Sequence, residues 1–143
     1  MTSERDAAFT EALAAEYAAI YAYGIIGAQV TLDERPTAEA AITAHRAARD
    51  ELRSTMAELA IPAPPAEPAY ATGEIDTPEA ARALAVSVET ALVPRYAQLA
   101  SQVSGERRGW CAAQAQQCAT RAISWGGPSQ AFPGVTVAPT PGN

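Results

Sequence analysis

Glu16, His45, Arg49 and Glu89 interrupt apolar stripes near the middle of three segments with helical periodicity. In a helical bundle those positions face the core, where a charge is costly unless a metal ion or an opposite charge satisfies it. Carboxylates with an imidazole can hold iron or manganese, which take oxygen and nitrogen donors. Carboxylates with guanidiniums form a self-neutralised ionic network, because the planar arginine fork matches a carboxylate in bidentate geometry.

Four segments must position these groups. The first, about Ser3 to Thr31, places Phe9, Leu13, Glu16, Ile20, Tyr23, Gly27 and Val30 at alternating steps of 3 and 4. Ser3 is a cap candidate, and Gly24 and Gly27 suggest the close approach of a neighbouring backbone. After a short turn, the segment from Pro36 to Leu59 carries Ile42, His45, Arg49, Leu52, Met56 and Leu59 on one seam. A third segment opens on the cap-and-proline start Thr77-Pro78 and carries Ala85, Glu89, Leu92, Tyr96, Leu99 and Val103. Pro94 falls inside it and predicts a kink. The fourth, Glu106 to Ser124, follows the turn Ser104-Gly105.

Between segments two and three lie Pro62, Pro64, Pro65 and Pro68. Proline at this density forbids helix and favours extended polyproline II, which can reach ~50 Å over such a stretch. The spacing therefore predicts an all-α fold: a ferritin-like antiparallel four-helix bundle, two hairpins joined by one long Pro-rich crossover between helices 2 and 3. The bundle would occupy 1–125, with the crossover at 60–77. A Pro/Gly-rich tail, anchored by Phe132, would follow at 126–143.

Midpoints meet in antiparallel packing, so Glu16, His45 and Glu89 should converge at one depth. A di-iron carboxylate centre needs a Glu from each of two helices and a Glu-x-x-His from each of the others. Glu16 and Glu89 match the lone glutamates. In segment two the sequence is Ile42-Thr43-Ala44-His45, so the histidine is present and its glutamate is not. Segment four offers only Gln114, Gln117, Cys118 and Arg121 in its middle. The expected site is therefore a metal-free network of Glu16, His45, Arg49, Glu89, Arg121, Tyr23 and Gln117, with two guanidiniums cancelling two carboxylates. No cofactor is expected. The runner-up is a metal-dependent oxidoreductase with one iron or manganese on Glu16, His45 and Glu89. A third reading is a small-molecule anion binder in the bundle core.

Tyr17 and Tyr21, four residues apart and off the main seam, would form an aromatic strip on an outer face and suggest another subunit. Trp110 and Trp125 would pack against the tail or a partner chain. Cys111 and Cys118 lie seven apart on one helix, roughly 10 Å, too far to bridge each other.

Composition narrows the function classes. The chain of 143 residues is 48% apolar, mostly alanine, and 6% aromatic, which suits close-packed helices. All ten basic residues are arginine and the net charge is −6, which argues against a nucleic-acid or anionic-membrane surface. No apolar run approaches the ~20 residues of a bilayer span. The sequence Met1 to Asp6 runs into an amphipathic helix with no basic-then-apolar export signal, which predicts a cytoplasmic protein. Neither a phosphate-cradling glycine loop nor a nucleophile elbow is present.

The stretch from Leu13 to Gly24, LAAEYAAIYAYG, together with His45-Arg46-Ala47-Ala48-Arg49-Asp50, resembles an actinobacterial family of ferritin-like domains of unknown function, often labelled alanine-rich conserved proteins. The Pro-rich stretch closing at Tyr70, Glu89, the segment Arg121 to Trp125, and Phe132-Pro133-Gly134 extend the resemblance over nearly the whole chain. It implies a ferritin-like bundle and a homodimer, and it supplies no activity. Tyr17 stands where a histidine often follows the glutamate in relatives, which removes a further metal ligand.

Overall fold

The computed structural model describes residues 2–129, and their helices are α1 (Glu4–Gln29), α2 (Arg35–Glu58), α3 (Pro78–Gln102) and α4 (Gly105–Ser124). The expected tail lies outside the described residues from 130 onward, Phe132 with it. Helix starts follow the sequence signals. Ser3 Oγ accepts from the Asp6 amide at 3.0 Å, and Thr77 Oγ1 accepts from the Ala80 amide at 3.1 Å, with Pro78 in the first turn. α3 continues as helix through Pro94.

The long crossover dictates the topology. Residues 30–34 and 103–104 are tight turns, so α1/α2 and α3/α4 are antiparallel hairpins. Residues 59–77 climb along α1. Ile61 packs beside Phe9 and Leu13, and the Pro64 carbonyl accepts from the Tyr17 hydroxyl at 3.1 Å. Tyr70 lies against Tyr21 with ring centroids 5.6 Å apart, and Ile75 joins Tyr23, Ile26 and Val30 at the other end. The crossover thus returns the chain to the end where α2 began, and α3 runs antiparallel to α1. α1 packs on α2 and α3, and α3 packs on α4. The Tyr17–Tyr21 strip, expected to await another subunit, is covered by the chain's own crossover.

The apolar core is divided. One cluster gathers Phe9, Leu13, Leu52, Met56, Leu92, Tyr96 and Leu99; the other gathers Ala22, Ile26, Val30, Ala38, Ala81, Ala85 and Trp125. The layer between them is polar. α2 ends in a Schellman motif, with the Ile61 amide donating to the Met56 carbonyl at 2.8 Å and Ala60 left-handed at φ 56°. α4 ends the same way on Gly126, and the Gly127 amide donates to the Ala122 carbonyl at 2.8 Å. Gly24 and Gly27 do not mark a close backbone approach: a Cβ at either would meet nothing within 4 Å. No helix among the described residues is long and apolar enough to cross a membrane.

Candidate functional site

Glu16 on α1, His45 on α2 and Glu89 on α3 are each 0% exposed and meet in the polar layer. His45 lies between the carboxylates, its Nδ1 2.7 Å from Glu16 Oε2 and its Nε2 2.8 Å from Glu89 Oε1. The Tyr23 hydroxyl donates to Glu89 Oε1 at 2.6 Å, and the Tyr96 hydroxyl donates to Glu16 Oε1. From α4, Arg121 Nε donates to Glu89 Oε1 at 2.9 Å and Nη2 reaches Cys118 Sγ at 3.4 Å. Trp125 Nε1 donates to the Tyr23 hydroxyl at 3.0 Å, beside a Tyr23 ring stacked on His45. Among the described residues, Glu89 Oε2 is buried without a hydrogen-bond partner.

The geometry has an internal two-fold logic. Each of α1 and α3 carries Glu-x6-Tyr, Glu16 to Tyr23 and Glu89 to Tyr96. Seven residues are about two turns, which keeps both side chains on one face. Because α1 and α3 are antiparallel, each glutamate meets the other helix's tyrosine. His45 bridges the two halves from α2.

Electrostatics fix the protonation state. Both imidazole nitrogens face carboxylate oxygens, and a neutral imidazole would turn a lone pair onto one of them. Burial disfavours the imidazolium, yet the hydrogen bonds and charges of Glu16 and Glu89 outweigh it and raise the His45 pKa to about 9. Burial likewise opposes ionised Glu89, and His45, Arg121 and Tyr23 together hold its carboxyl below the usual range. The phenols of Tyr23 and Tyr96 are pushed up, by burial first and then by the adjacent carboxylates, so they remain hydroxyl donors. Burial raises the Cys111 thiol to about 11 and the Cys118 thiol further, and both cysteines are free. Two basic side chains, His45 and Arg121, thus stand against two acidic ones, Glu16 and Glu89, so the formal charges of the layer balance.

Two expected members of the network lie elsewhere. Arg49 is not the second cation: its Nε pairs with Asp50 Oδ1 at 2.9 Å on the bundle's outside. The buried stripe of α2 is Ala38, Ala41, His45, Ala48, Leu52 and Met56, so the step after His45 is three residues, to Ala48, and Arg49 is rotated out. His45 itself supplies the second positive charge. Gln117 is exposed, because the buried face of α4 runs through Cys111, Cys118 and Ala122. Tyr96 and Trp125 belong to the network and were not among the expected members. The repeated Glu-x6-Tyr spacing was the available signal for Tyr96. Trp110 packs edge-on against Tyr96 at 5.7 Å, and Trp125 is buried against Tyr23, so both tryptophans pack on core tyrosines.

Among the described residues, no group of three or more His, Cys, Asp or Glu side chains is placed to hold a metal ion. The contacts explain this. An imidazole with both nitrogens facing carboxylates has no lone pair to offer, and a metal beside Glu89 Oε1 would compete with Arg121.

Fold and site together define an all-helical bundle whose interior carries a charge-balanced layer of Glu, His, Arg and Tyr. The chain belongs to the family described as Domain of unknown function (DUF4439), whose model matches residues 8–137. Among solved structures it is similar to a conserved hypothetical protein, rv2844, from Mycobacterium tuberculosis. That likeness has a TM-score of 0.83 at 25% identity and covers 87% of this chain and 96% of the other. No curated protein matches the sequence.

Proposed function

We propose that this protein is a ferritin-like bundle whose former metal position is filled by its own Glu16–His45–Glu89–Arg121 network, and that it serves a structural or binding role rather than metal oxidation. One observation carries the reading: His45 spends both ring nitrogens on carboxylates, leaving none for a metal. The hairpin–crossover–hairpin topology supports the ferritin-like assignment, since the central layer lies where such bundles place carboxylate ligands. Cytoplasmic residence and a homodimer belong to the same proposal, the homodimer resting on the sequence resemblance.

Elemental analysis of protein purified without chelator tests the reading. The expected result is less than about a tenth of an equivalent of iron, manganese or copper per chain, against metal affinities that leave a built site filled. Retention of one equivalent, lost on His45→Ala, would establish the single-metal oxidoreductase on Glu16, His45 and Glu89 instead. Sedimentation equilibrium tests the homodimer, and a monomer mass would remove it.

A further inference from the structure

We infer that the groove beneath the crossover is a binding site for a small planar aromatic monocarboxylate. It is an open groove outside the core network, between α1, α2 and residues 65–70, with a volume of about 490 Å³. Sites for small molecules span roughly 300–1,000 Å³.

Arg53 is the recognition element. Its Nη1 donates to the Tyr17 hydroxyl at 3.0 Å, and Tyr17 is itself fixed by donating to the Pro64 carbonyl at 3.1 Å. Among the described residues no carboxylate lies within 4 Å of Arg53, whereas Arg49 in the same groove is paired with Asp50 at 2.9 Å. An anchored guanidinium with most of its five N–H donors unused suits the forked geometry of a carboxylate. The apolar wall is aromatic: Tyr21 and Tyr70 stand 5.6 Å apart at 60°, with Ile20 beside them. Their faces favour a flat ring. The proline-rich crossover stiffens the outer side, with Pro65 in the lining, so little order need be gained on binding.

Charge decides the class of anion. Only one lining arginine lacks an acid, and Asp50 and Glu67 also line the groove. Arg49 and Arg53 already balance Asp50 and Glu67 in the lining, so a phosphate dianion would bring two uncompensated negative charges and a single carboxylate only one. An organic amine would leave the Arg53 fork without an acceptor.

Titration of the full-length protein with benzoate and 4-hydroxybenzoate, followed by NMR of the tyrosine rings, tests the assignment. Saturable shifts are expected at Tyr17, Tyr21 and Tyr70, with phenyl phosphate weaker and benzylamine inert. Arg53→Gln should weaken benzoate binding by about tenfold or more, the scale of a charge-assisted hydrogen bond. Arg46→Gln, an exposed change outside the groove, should leave it unaltered. The inference falls if nothing saturates up to about 10 mM. It falls equally if phenyl phosphate or benzylamine binds as tightly as benzoate, or if folded Arg53→Gln protein keeps full affinity.

Discussion

His45→Gln tests the polar layer where it is most constrained. The imidazolium is fully buried and its pKa is raised from 6.5 to about 9, so it binds a proton more tightly folded than unfolded. At about 1.4 kcal/mol per pH unit, that shift corresponds to about 3 kcal/mol of stability. The contribution is fully present below pH 6.5 and is lost as pH rises through 9. Glutamine can reach one carboxylate but carries no charge, so Glu16 and Glu89 would face each other with Arg121 as the only cation. Uncompensated buried charge of this kind costs about 3–5 kcal/mol. The assay is urea unfolding of both proteins at half-unit steps from pH 6 to 9.5. Cys111 and Cys118 also titrate more readily when unfolded, but they are common to both chains and cancel in the difference. The wild-type advantage over His45→Gln should be largest near pH 6 and shrink by about 3 kcal/mol towards pH 9.5. A difference that stays constant across this range would mean His45 is neutral and the charge-balance argument is wrong.

Further expectations concern other positions. Arg121→Ala should cost about 3 kcal/mol by stripping the buried Glu89 of a cation, while Arg49→Ala, whose pair is on the surface, should stay within about 0.5 kcal/mol in the same unfolding assay. Ala60→Gly should stabilise by about 1 kcal/mol, because Ala60 sits at φ 56° in the α2 end motif; calorimetric melting would show it. Gly127→Ala should destabilise by about 1–3 kcal/mol, since its Cβ would lie 2.8 Å from the Ala122 carbonyl oxygen and 2.9 Å from Val86 Cγ1. An unchanged melting temperature in that variant would mean the C-terminal end of α4 moves freely.

Much of the architecture could be read from the sequence because its signals are local and strong. Ser3 and Thr77 cap helices, Pro78 opens one, and the prolines at 62–68 force an extended crossover. The convergence of Glu16, His45 and Glu89 followed from helix midpoints, which depend only on lengths and antiparallel order. Rotational phase was harder. On α2 the alternatives after His45 were Ala48 and Arg49; alanine leaves no amphipathic contrast, so a one-residue choice turned an arginine by about 100°. Gln117 failed for the same reason, on a helix whose buried positions include Cys111, Cys118 and Ala122. The covering of Tyr17 and Tyr21 was illegible because extended proline-rich chain announces its reach and not the face it follows. Gly24 and Gly27 suggested a contact, yet a Cβ there would meet open space.

The neutral layer has a consequence for helix alignment. Alanine-lined seams are nearly smooth, and smooth helices can slide past one another at little steric cost. Displacing α1 by one turn along α3, about 5.4 Å, would pull Glu16 from Tyr96 and Tyr23 from Glu89 together and bury both acids against methyl groups. Vernier-like, the two reciprocal clasps and the bridging imidazole agree at a single setting, so the helices have one permitted alignment even along their alanine-lined stretches.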